Sequence, residues 1–285
     1  MNKLLVVIAG PTAIGKTEVA IAVAKHYDTE IISADARQFY REMNVGTAKP
    51  DALQLAEVKH HFINSHSIKE AYNAGQYEED ALKTLDEIYK TNNIAIMAGG
   101  SGLYIHAVCN GMDHLPPSDD AIRQALNTEV ETLGIASLQE ELKQVDPTYF
   151  DEVDLANPHR IIRALEVYRL SGMPYSSFRN KTKKDRPFHV IKIGLNMDRK
   201  ELYHRINNRV DSMIAAGLEE EAKSLIPYKN YQAINTVGYS EWFDYFDGKS
   251  TKEQVVEAIK QNTRRYAKRQ LTWFRKDPDI RWFKV

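Results

Sequence analysis

An α/β fold with a parallel sheet and an all-helical insertion is predicted by three features of this 285-residue sequence. Apolar runs typical of buried strands alternate with helical patterns near the amino terminus, as in the strand–helix–strand units that build parallel sheets. One of these runs, Leu4–Ala9, leads directly into a glycine-rich loop and a helix. From Ser118 to about Gly172 the pattern is helical throughout, so a helical segment is expected between two strands of the sheet.

The first strand–helix–strand unit consists of a strand over 4–9, a helix over 17–27 and a short strand over 30–33. The helix has apolar residues at helical spacing, which predicts one buried face. The second strand ends at Ala34 and Asp35. Because ligands of open parallel sheets bind outside the carboxyl ends of the strands, we expect Asp35 on the same edge as the glycine-rich loop.

Residues 77–89 are predicted to form a helix, and residues 93–98 a further buried strand. This strand ends in Gly99 and Gly100, followed by Ser101. A protein that uses ATP would often have an acidic residue there to hold magnesium. Glycines let the backbone approach a ligand, so we expect the two glycines to border a ligand site.

A loop rich in glycine and proline after residue 110 marks a boundary. We place a core in residues 1–113 and 188–285, and an all-helical insertion in residues 114–187. After the insertion, a strand is predicted over 189–195 and helices beyond Asp198. The simplest arrangement is one α/β core interrupted between two of its strands.

Helix starts within and after the insertion have recognisable capping residues. Ser118 is predicted to cap one helix, and Ser137 with Glu140 to form a capping box for the next. Asn157 is predicted to begin a third helix with a proline in its first turn. The last long helix is predicted to start with a capping box at Thr251.

The glycine-rich loop matches the phosphate-binding pattern G-x-x-x-x-G-K-[ST] in its expected place between a strand and a helix. Its residues are Gly10, Pro11, Thr12, Ala13, Ile14, Gly15, Lys16 and Thr17. Backbone N–H groups of such a loop surround an anion at the positive end of the next helix. Lys16 adds a positive charge, and the Thr17 hydroxyl is placed to hold a magnesium ion. The core is therefore P-loop NTPase-like and is expected to bind two linked phosphates, whichever phosphoester bond is broken.

Composition limits the class of protein only broadly. Lys and Arg total 38 against 39 Asp and Glu, so the overall charge neither requires nor excludes nucleic acid. Cys109 is the single cysteine, which excludes an internal disulfide and fits a buried core position in a reducing compartment. No apolar run approaches the roughly 20 residues that span a bilayer, and no signal-peptide pattern is present. A cytoplasmic protein with no membrane partner is expected.

Positive residues gather in three places despite the neutral total. They are the pair Arg160 and Arg163, the loop over 181–186 and the last helix over 260–276, where Tyr and Trp are interleaved. This combination favours a phosphate backbone with unstacked bases. A solvated helix face is the alternative for any one of the clusters taken alone.

These residues, in this order, resemble the bacterial tRNA dimethylallyltransferases, over nearly the whole chain. The matching motifs are residues 10–17, 33–40, 46–50, 60–61, 99–104, 157–166, 237–239 and 263–270. The phosphate-binding loop alone would not identify the family, but the combined set is specific. Three positions depart from the family's usual residues: Ile14 replaces Ser, Ser101 replaces Thr, and Ser240 replaces Lys. Ser101 keeps a hydroxyl, and Ile14 is expected to point away from the anion.

The resemblance implies transfer of a dimethylallyl group from dimethylallyl diphosphate to the exocyclic N6 amine of the adenosine just 3′ of the anticodon, with Mg²⁺. It implies a P-loop core and a helical insertion that helps to grip the anticodon stem-loop, and we expect a monomer. Asp35 would accept the proton from the amine, and Lys16, Thr17 and Ser101 would complete the catalytic set. The implied tRNA contacts are Asp35, Ala36, Arg37, Gln38, Ser101, Arg123, His159, Arg160, Ile161, Ile162 and Arg163.

Other function classes stay open from the sequence. A P-loop kinase of a small metabolite explains the loop and Asp35 but leaves the basic clusters unused. A prenyltransferase acting on a free adenine nucleotide shares the chemistry but needs no insertion for RNA. An RNA-binding module without catalysis leaves the phosphate-binding loop unexplained. Whether a nucleotide such as ATP can also occupy the loop is open.

Overall fold

The computed structural model describes residues 3–179 and 183–285. The chain forms two compact units, which we call the core unit (Met1–Gly111 with Asp185–Val285) and the insertion unit (Met112–Lys184). The boundaries expected from the sequence, at 113/114 and 187/188, lie within a few residues of this division.

A parallel sheet is the basis of the core unit. Its strands are β1 (Leu4–Ala9), β2 (Ile31–Ser33), β3 (His60–His61), β4 (Ile94–Gly99), β5 (His189–Asn196) and β6 (Ile280–Lys284). Among the described residues these six strands lie in the order β3-β2-β4-β1-β5-β6, and every neighbouring pair is parallel. The predicted α/β class with a parallel sheet is confirmed.

Twelve α-helices are present in the described part of the chain. They are α1 (Lys16–His26), α2 (Ala52–Glu57), α3 (Ala74–Ile88), α4 (Gly102–Asn110), α5 (Asp120–Leu133), α6 (Ile135–Val145), α7 (Pro147–Glu152), α8 (Pro158–Ser171), α9 (Arg199–Ala215), α10 (Leu218–Ser224), α11 (Ser240–Phe246) and α12 (Lys252–Phe274). Helices α5 to α8 belong to the insertion unit, and the others to the core unit.

Both faces of the central strand β1 are buried, which explains its unbroken apolar sequence. Leu5 and Val7 pack into a hydrophobic cluster with residues of α3 and α4, including Cys109. Val6 and Ile8 point the other way, into a cluster with residues of α1 and α9. The alternation follows from the period of two along a strand, and it fixes the register of the sheet.

A third hydrophobic cluster joins helices α9 to α12. Its centre is Trp242, which is fully buried among Val210, Leu218 and Ile259. Helices α9 and α12 therefore belong to two clusters, since each also packs against the sheet through Ile206 and Ala267 respectively. This double packing holds α9 and α12 firmly over the carboxyl edge of the sheet.

The insertion unit has its own apolar core, in which Leu126, Leu138, Leu142 and Leu165 are fully buried. None of the helices in the described ranges is long and apolar enough to cross a membrane.

Two of the predicted helix starts are wrong. The first helix of the insertion is capped by Asp119, whose carboxylate accepts a hydrogen bond from the N–H of Ile122, and Ser118 precedes it. Helix α6 begins after Gly134, so Ser137 lies within its first turn and donates to the Gly134 carbonyl at 2.9 Å. The glycine turn, with its positive φ of 80°, decides the helix start there.

The other predicted starts agree with the structure. Asn157 lies at the N-cap of α8 with Pro158 in the first turn, and Gly172 ends that helix in a left-handed conformation. Thr251 and Gln254 form the capping box of α12.

Strands β3 and β6 were not predicted. The adjacent histidines of β3 pair with β2, and His61 interacts through Nε2 with Glu30. Both contacts give these histidines a structural role. Within the described part of the chain, strand β6 lies at the edge of the sheet and pairs with β5 alone, and its mostly exposed residues give no alternating pattern. A pairing partner so distant in sequence leaves no local signal.

The ends of β2 and β4 approach each other very closely. A Cβ atom on Gly99 would lie 2.1 Å from the Ala34 carbonyl oxygen. On Gly100 and Gly102 it would lie 2.2 Å from side-chain atoms of Gln270 and Trp273. Protein atoms therefore fill the space of a side chain at Gly100, whereas Gly99 lines a polar cavity at this edge of the sheet, as expected.

We expect Gly99→Ala to lower the free energy of unfolding by about 3 kcal/mol, since the methyl group meets main-chain atoms that cannot rotate away. The measurement is urea denaturation followed by circular dichroism. Gly75→Ala, in the first turn of α3, is the control: its Cβ would meet only the Asn73 side-chain oxygen, at 3.3 Å. Equal stability of the two variants would contradict the close approach.

Candidate active site at the carboxyl edge of the sheet

The phosphate-binding loop connects β1 to α1 and curls at the carboxyl edge of the sheet. Gly15 directly precedes α1 with φ of 103°, a conformation that other residues rarely adopt. The Lys16 ammonium donates a hydrogen bond to the Pro11 carbonyl at 2.7 Å, so the lysine folds back over its own loop. Ile14 is buried in the hydrophobic cluster between the sheet and α1, which agrees with its expected orientation away from the anion.

A polar cavity of about 320 Å³ opens above this loop. The loop residues Thr12 to Thr17 line it, together with Asp35, Gln38 and two arginines of α9, Arg205 and Arg209. The cavity therefore contains three cationic side chains, of which sequence reasoning identified only Lys16.

Burial acts against the positive charges in this cavity. It lowers the pKa of Lys16 to about 8, with the neighbouring Arg209 acting in the same direction, and the carboxylates of Asp35 and Glu18 act against this. Burial also lowers the pKa of Arg209, again opposed by Asp35 and Glu18. A bound anion would favour the charged forms of both side chains and so oppose the effect of burial. The arrangement therefore favours an anionic ligand.

Asp35 lies on the same edge of the sheet as the loop, as predicted from the strand order. It follows β2, and its Oδ1 accepts a hydrogen bond from the Arg37 N–H at 3.1 Å. Ser101, at the start of α4, comes to the same place: its hydroxyl accepts a hydrogen bond from the Ala36 N–H at 2.9 Å. The ends of β2 and β4 are thus joined through the segment that contains Asp35.

A second, more apolar cavity of about 190 Å³ adjoins the first. Its apolar walls include Ile206, Val210, Met213, Val237 and Ile259. Thr12, Asp35 and Arg209 line both cavities. Asp35 therefore stands at the junction between a cationic space and an apolar one.

Tyr266 of α12 also lines the second cavity, as do Ala36, Arg37 and Ser101. Burial raises the pKa of Tyr266 to about 12, and the charge of Asp35 adds to this, while Arg37 and the Ser101 hydroxyl act against it. The phenol is therefore neutral at physiological pH and lies close to Asp35.

Gln38 has mainly a supporting role. Its amide donates to the carbonyl oxygens of Thr47 and Ala48 at 3.2 Å each, so it holds the loop over 46–50 against the site. The loop itself is fixed from the other side by Glu221, which accepts hydrogen bonds from the N–H groups of Asn44, Val45 and Gly46.

The predicted RNA contacts of the insertion unit differ in accessibility. His159 and Arg160 are exposed at the start of α8. Ile161 and Ile162 are buried in the hydrophobic core of the unit, so their side chains are not accessible to RNA. Their burial instead anchors the helix that presents His159 and Arg160.

Arg123 and Arg163 are joined by one carboxylate. Glu166 is fully buried, and its Oε2 accepts hydrogen bonds from both guanidinium groups at 2.8 Å. Its Oε1 accepts from the N–H of Asp119. Because a carboxylate so buried must be paired, the two arginines stabilise the insertion unit and are held in fixed directions.

Within the loop over 181–186, Arg186 has a structural role. Residues 181 and 182 lie outside the described residues. Arg186 is largely buried, pairs with Glu78 at 2.7 Å and donates to the carbonyls of Ala107 and Val108. Arg186 therefore stabilises the core unit.

Helix α12 does present a cationic surface. Arg265, Lys268, Arg269 and Lys276 surround Trp273, whose side chain is 43% exposed. Arg264, which belongs to the predicted basic cluster over 260–276, is instead hydrogen-bonded to Asn207 and Glu257.

Arg205 and Arg209 are the functional candidates that sequence reasoning left without a role. They are spaced by one helical turn among the apolar residues of α9, so two charges fall beside a face that packs on the core. A charge at such a position was the available signal, but only the folded chain shows that α9 crosses the phosphate-binding loop.

Fold and site together define the class: a P-loop α/β protein with a cationic cavity at the carboxyl edge of its sheet and an apolar cavity beside it. The sequence model of the IPP transferase family matches residues 38–277. The chain belongs to the IPP transferase family and is a prenyl-transferring enzyme.

Individual relatives extend over nearly the whole chain. A tRNA dimethylallyltransferase of Christiangramia forsetii is 53% identical over 283 residues, covering 99% of this chain and 94% of the relative. The crystal structure of a tRNA isopentenylpyrophosphate transferase from Bacillus halodurans is similar with a TM-score of 0.72 and 37% identity, covering 100% of this chain and 90% of that one. A eukaryotic dimethylallyltransferase described as acting on tRNA has a TM-score of 0.83 and 25% identity, covering 99% and 74% respectively.

Inorganic pyrophosphate should bind more weakly as the pH rises through the free-state pKa of Lys16, about 8. Only the protonated amine attracts the anion, so this contribution is complete at lower pH and is lost above that pKa. Between pH 7 and pH 9 we expect the affinity for pyrophosphate to fall about tenfold because Lys16 loses its proton. Isothermal titration calorimetry in buffers of different ionisation enthalpy measures both affinity and proton uptake.

The control for this prediction is Lys16→Arg, since a guanidinium stays protonated over this range. Any slope that remains in the variant belongs to the pyrophosphate itself. Identical pH profiles for the two proteins would contradict the titration of Lys16.

Proposed function

We propose that this protein is a tRNA dimethylallyltransferase. It transfers the dimethylallyl group from dimethylallyl diphosphate to the exocyclic N6 amine of the adenosine just 3′ of the anticodon, and releases diphosphate. Membership of the IPP transferase family and the names of the relatives support this proposal. The single observation that supports it most is the position of Asp35, between a cationic cavity and an apolar one.

In the proposed reaction, the diphosphate group occupies the polar cavity. The bond between the allylic carbon and the diphosphate oxygen breaks, and the leaving oxygen gains negative charge. Loop N–H groups, Lys16 and Arg209 meet this charge in a partly desolvated space, where electrostatic stabilisation is strong. The same groups hold the donor before the reaction, so they are arranged in advance.

The dimethylallyl group extends into the apolar cavity, where Val210, Met213 and Val237 exclude water from the allylic carbon. The allyl group delocalises positive charge, so a weak nucleophile such as an aromatic amine suffices when it is held close. The new bond joins N6 to the allylic carbon, and Asp35 takes the proton that N6 loses. Atoms and charge then balance as prenylated adenosine, diphosphate and a protonated carboxyl.

Mg²⁺ fits this site as an ion shared with the ligand. The described residues contain no cluster of three or more His, Cys, Asp or Glu that could hold a metal. Mg²⁺ commonly binds through few protein groups, several waters and substrate phosphates. Thr17, which lines the polar cavity, would hold it by its hydroxyl together with diphosphate oxygens. When bound, the ion supplies further positive charge to the leaving group.

The proposed RNA contacts are divided between the two units. In the core unit, Ala36, Arg37 and Ser101 line the apolar cavity that would receive the adenine. In the insertion unit, His159 and Arg160 are exposed for backbone contacts. The target adenine must leave its stack to enter a cavity, which costs least in a single-stranded loop. We propose dimethylallyl diphosphate and the tRNA anticodon stem-loop as the two substrates, with the enzyme acting as a monomer.

The deciding experiment incubates the protein with dimethylallyl diphosphate, Mg²⁺ and one of two acceptors, the unmodified anticodon stem-loop or AMP. A third reaction contains ATP and no acceptor. Nucleoside mass analysis of the stem-loop should show prenylated adenosine. Prenylation of AMP alone would indicate an enzyme for free nucleotides. ATP hydrolysis that is unaffected by RNA, with no prenyl transfer, would indicate a kinase-like protein.

We expect Asp35→Ala and Lys16→Ala each to lower the single-turnover transfer rate by about a hundredfold or more, through loss of the base and of leaving-group stabilisation respectively. Rapid-quench assays at saturating RNA and donor measure the rate. Asp35→Asn tests the base more narrowly, since it keeps the size of the side chain. Near-normal transfer by Asp35→Asn would remove the base assignment.

Arg209→Met is expected to weaken pyrophosphate binding and to lower the transfer rate by about a hundredfold, because it removes a charge that faces the leaving group. Arg199→Met, on the exposed start of the same helix, is the matched control. Its guanidinium lies over the Tyr203 ring and outside both cavities. Equal effects of the two substitutions would mean that Arg209 acts only through the stability of α9.

A further inference from the structure

One face of helix α12 contacts the turn between β4 and α4. Tyr266 and Gln270 are separated by four residues, so they lie on the same side of the helix. Tyr266 lies beside Ser101, and Gln270 is hydrogen-bonded to Gly100. The helix therefore holds consecutive residues of the turn that supplies the Ser101 hydroxyl.

Gln270 also reaches the phosphate-binding loop. Its Oε1 accepts a hydrogen bond from the Thr12 N–H at 2.8 Å, and its Nε2 donates to the Gly100 carbonyl at 2.9 Å. The partners are a backbone donor and a backbone acceptor, so they fix which end of the amide is which. One side chain thus bridges the loop that follows β1 and the turn that follows β4.

The bridge has little freedom to move. Gln270 is only 6% exposed, and a Cβ atom on Gly100 would lie 2.2 Å from its Nε2. Position 100 therefore requires glycine, because the Gln270 side-chain amide occupies the space that a larger residue would need there. Gln270 lines neither of the two cavities, so it would touch no substrate.

We propose that Gln270 is a positioning residue for prenyl transfer. It sets the separation between the diphosphate-binding loop and the turn with Ser101, and hence the alignment of the allylic carbon with the incoming amine. This inference rests on the function proposed above. Misplacement of reacting groups by about 1 Å by a change outside the chemistry can cost on the order of a hundredfold in rate.

The first test is Gln270→Met, which keeps the length of the side chain and removes both hydrogen bonds. Gln261→Met is the matched control, since it makes the same change at an exposed position of α12. We expect Gln270→Met to lower kcat by about tenfold to a hundredfold, with KM for the anticodon stem-loop changed by less than about twofold. Pyrophosphate should bind more weakly to Gln270→Met and unchanged to the control.

A second test approaches the same contact from the other side. Gly100→Ala places a methyl group where the Gln270 amide lies, so it should displace the bridge and reproduce the loss of kcat. In the background of Gln270→Ala the methyl group has room. The combined loss should therefore be clearly smaller than the sum of the separate losses in a double-mutant cycle.

Failure of this proposal is distinguishable from failure of the proposed function. A wild-type protein that binds pyrophosphate but leaves RNA unmodified would overturn the function, and pyrophosphate affinities would still test the bridge. Wild-type kcat and pyrophosphate affinity in folded Gln270→Met, or strictly additive effects in the cycle, would overturn the role of Gln270. A purely structural role would lower the melting temperature and leave kcat of the folded enzyme unchanged.

Discussion

The site depends on one electrostatic constraint: Lys16 and Arg209 share a partly buried cavity in which positive charge exceeds negative charge. Burial disfavours both cations, and the carboxylates of Asp35 and Glu18 oppose this for each of them. These two carboxylates face three cations, since Arg205 also lines the cavity, and the remaining positive charge favours an anion. The proposed diphosphate donor would supply such an anion. In the proposed reaction, the adjoining cavity, whose apolar walls include Val210 and Met213, would hold the dimethylallyl group.

The parallel sheet makes this constraint possible. Ala9 of β1 lies in register with Gly99 of β4, and Ser33 of β2 with Ala98 of β4, so the segments that follow these three strands leave the sheet at nearly the same level. In an antiparallel sheet, neighbouring strands would end at opposite edges. The phosphate-binding loop, Asp35 and Ser101 meet because three parallel strands end together, and α9 and α12 close the space above them. The meeting of the loop, Asp35 and Ser101 was therefore predictable from the order of the strands, but the positions of α9 and α12 above them were not.

The limits of sequence reasoning follow from the range of each signal. The loop over 10–17 is recognisable because strand, glycines, lysine and helix are adjacent in the chain. Asp35 follows from a topological rule that needs only the order of elements. Arg209 and Gln270 depend on helices that return to the site from far along the chain, and a helical pattern does not state which strand it covers. The burial of Ile161 and Ile162 was unpredicted for a related reason: a motif gives neighbours in sequence, but successive residues of a helix face different directions, so some lie in the core and others in solvent.

The chemistry of the proposed reaction indicates how much stabilisation of the leaving diphosphate contributes to the rate compared with proton transfer to Asp35. An adenine amine is a weak nucleophile because its lone pair is delocalised into the ring, so the proposed reaction needs much of the carbon–oxygen bond broken before attack. Charge therefore develops first on the diphosphate, where several fixed donors already face it, and the amine proton becomes acidic only as the new bond forms. Stabilisation of the leaving group acts on the earlier and higher part of the barrier. In the proposed reaction Asp35 would act later as the base, whereas its charge already opposes the lowering of the Lys16 pKa before any proton is transferred.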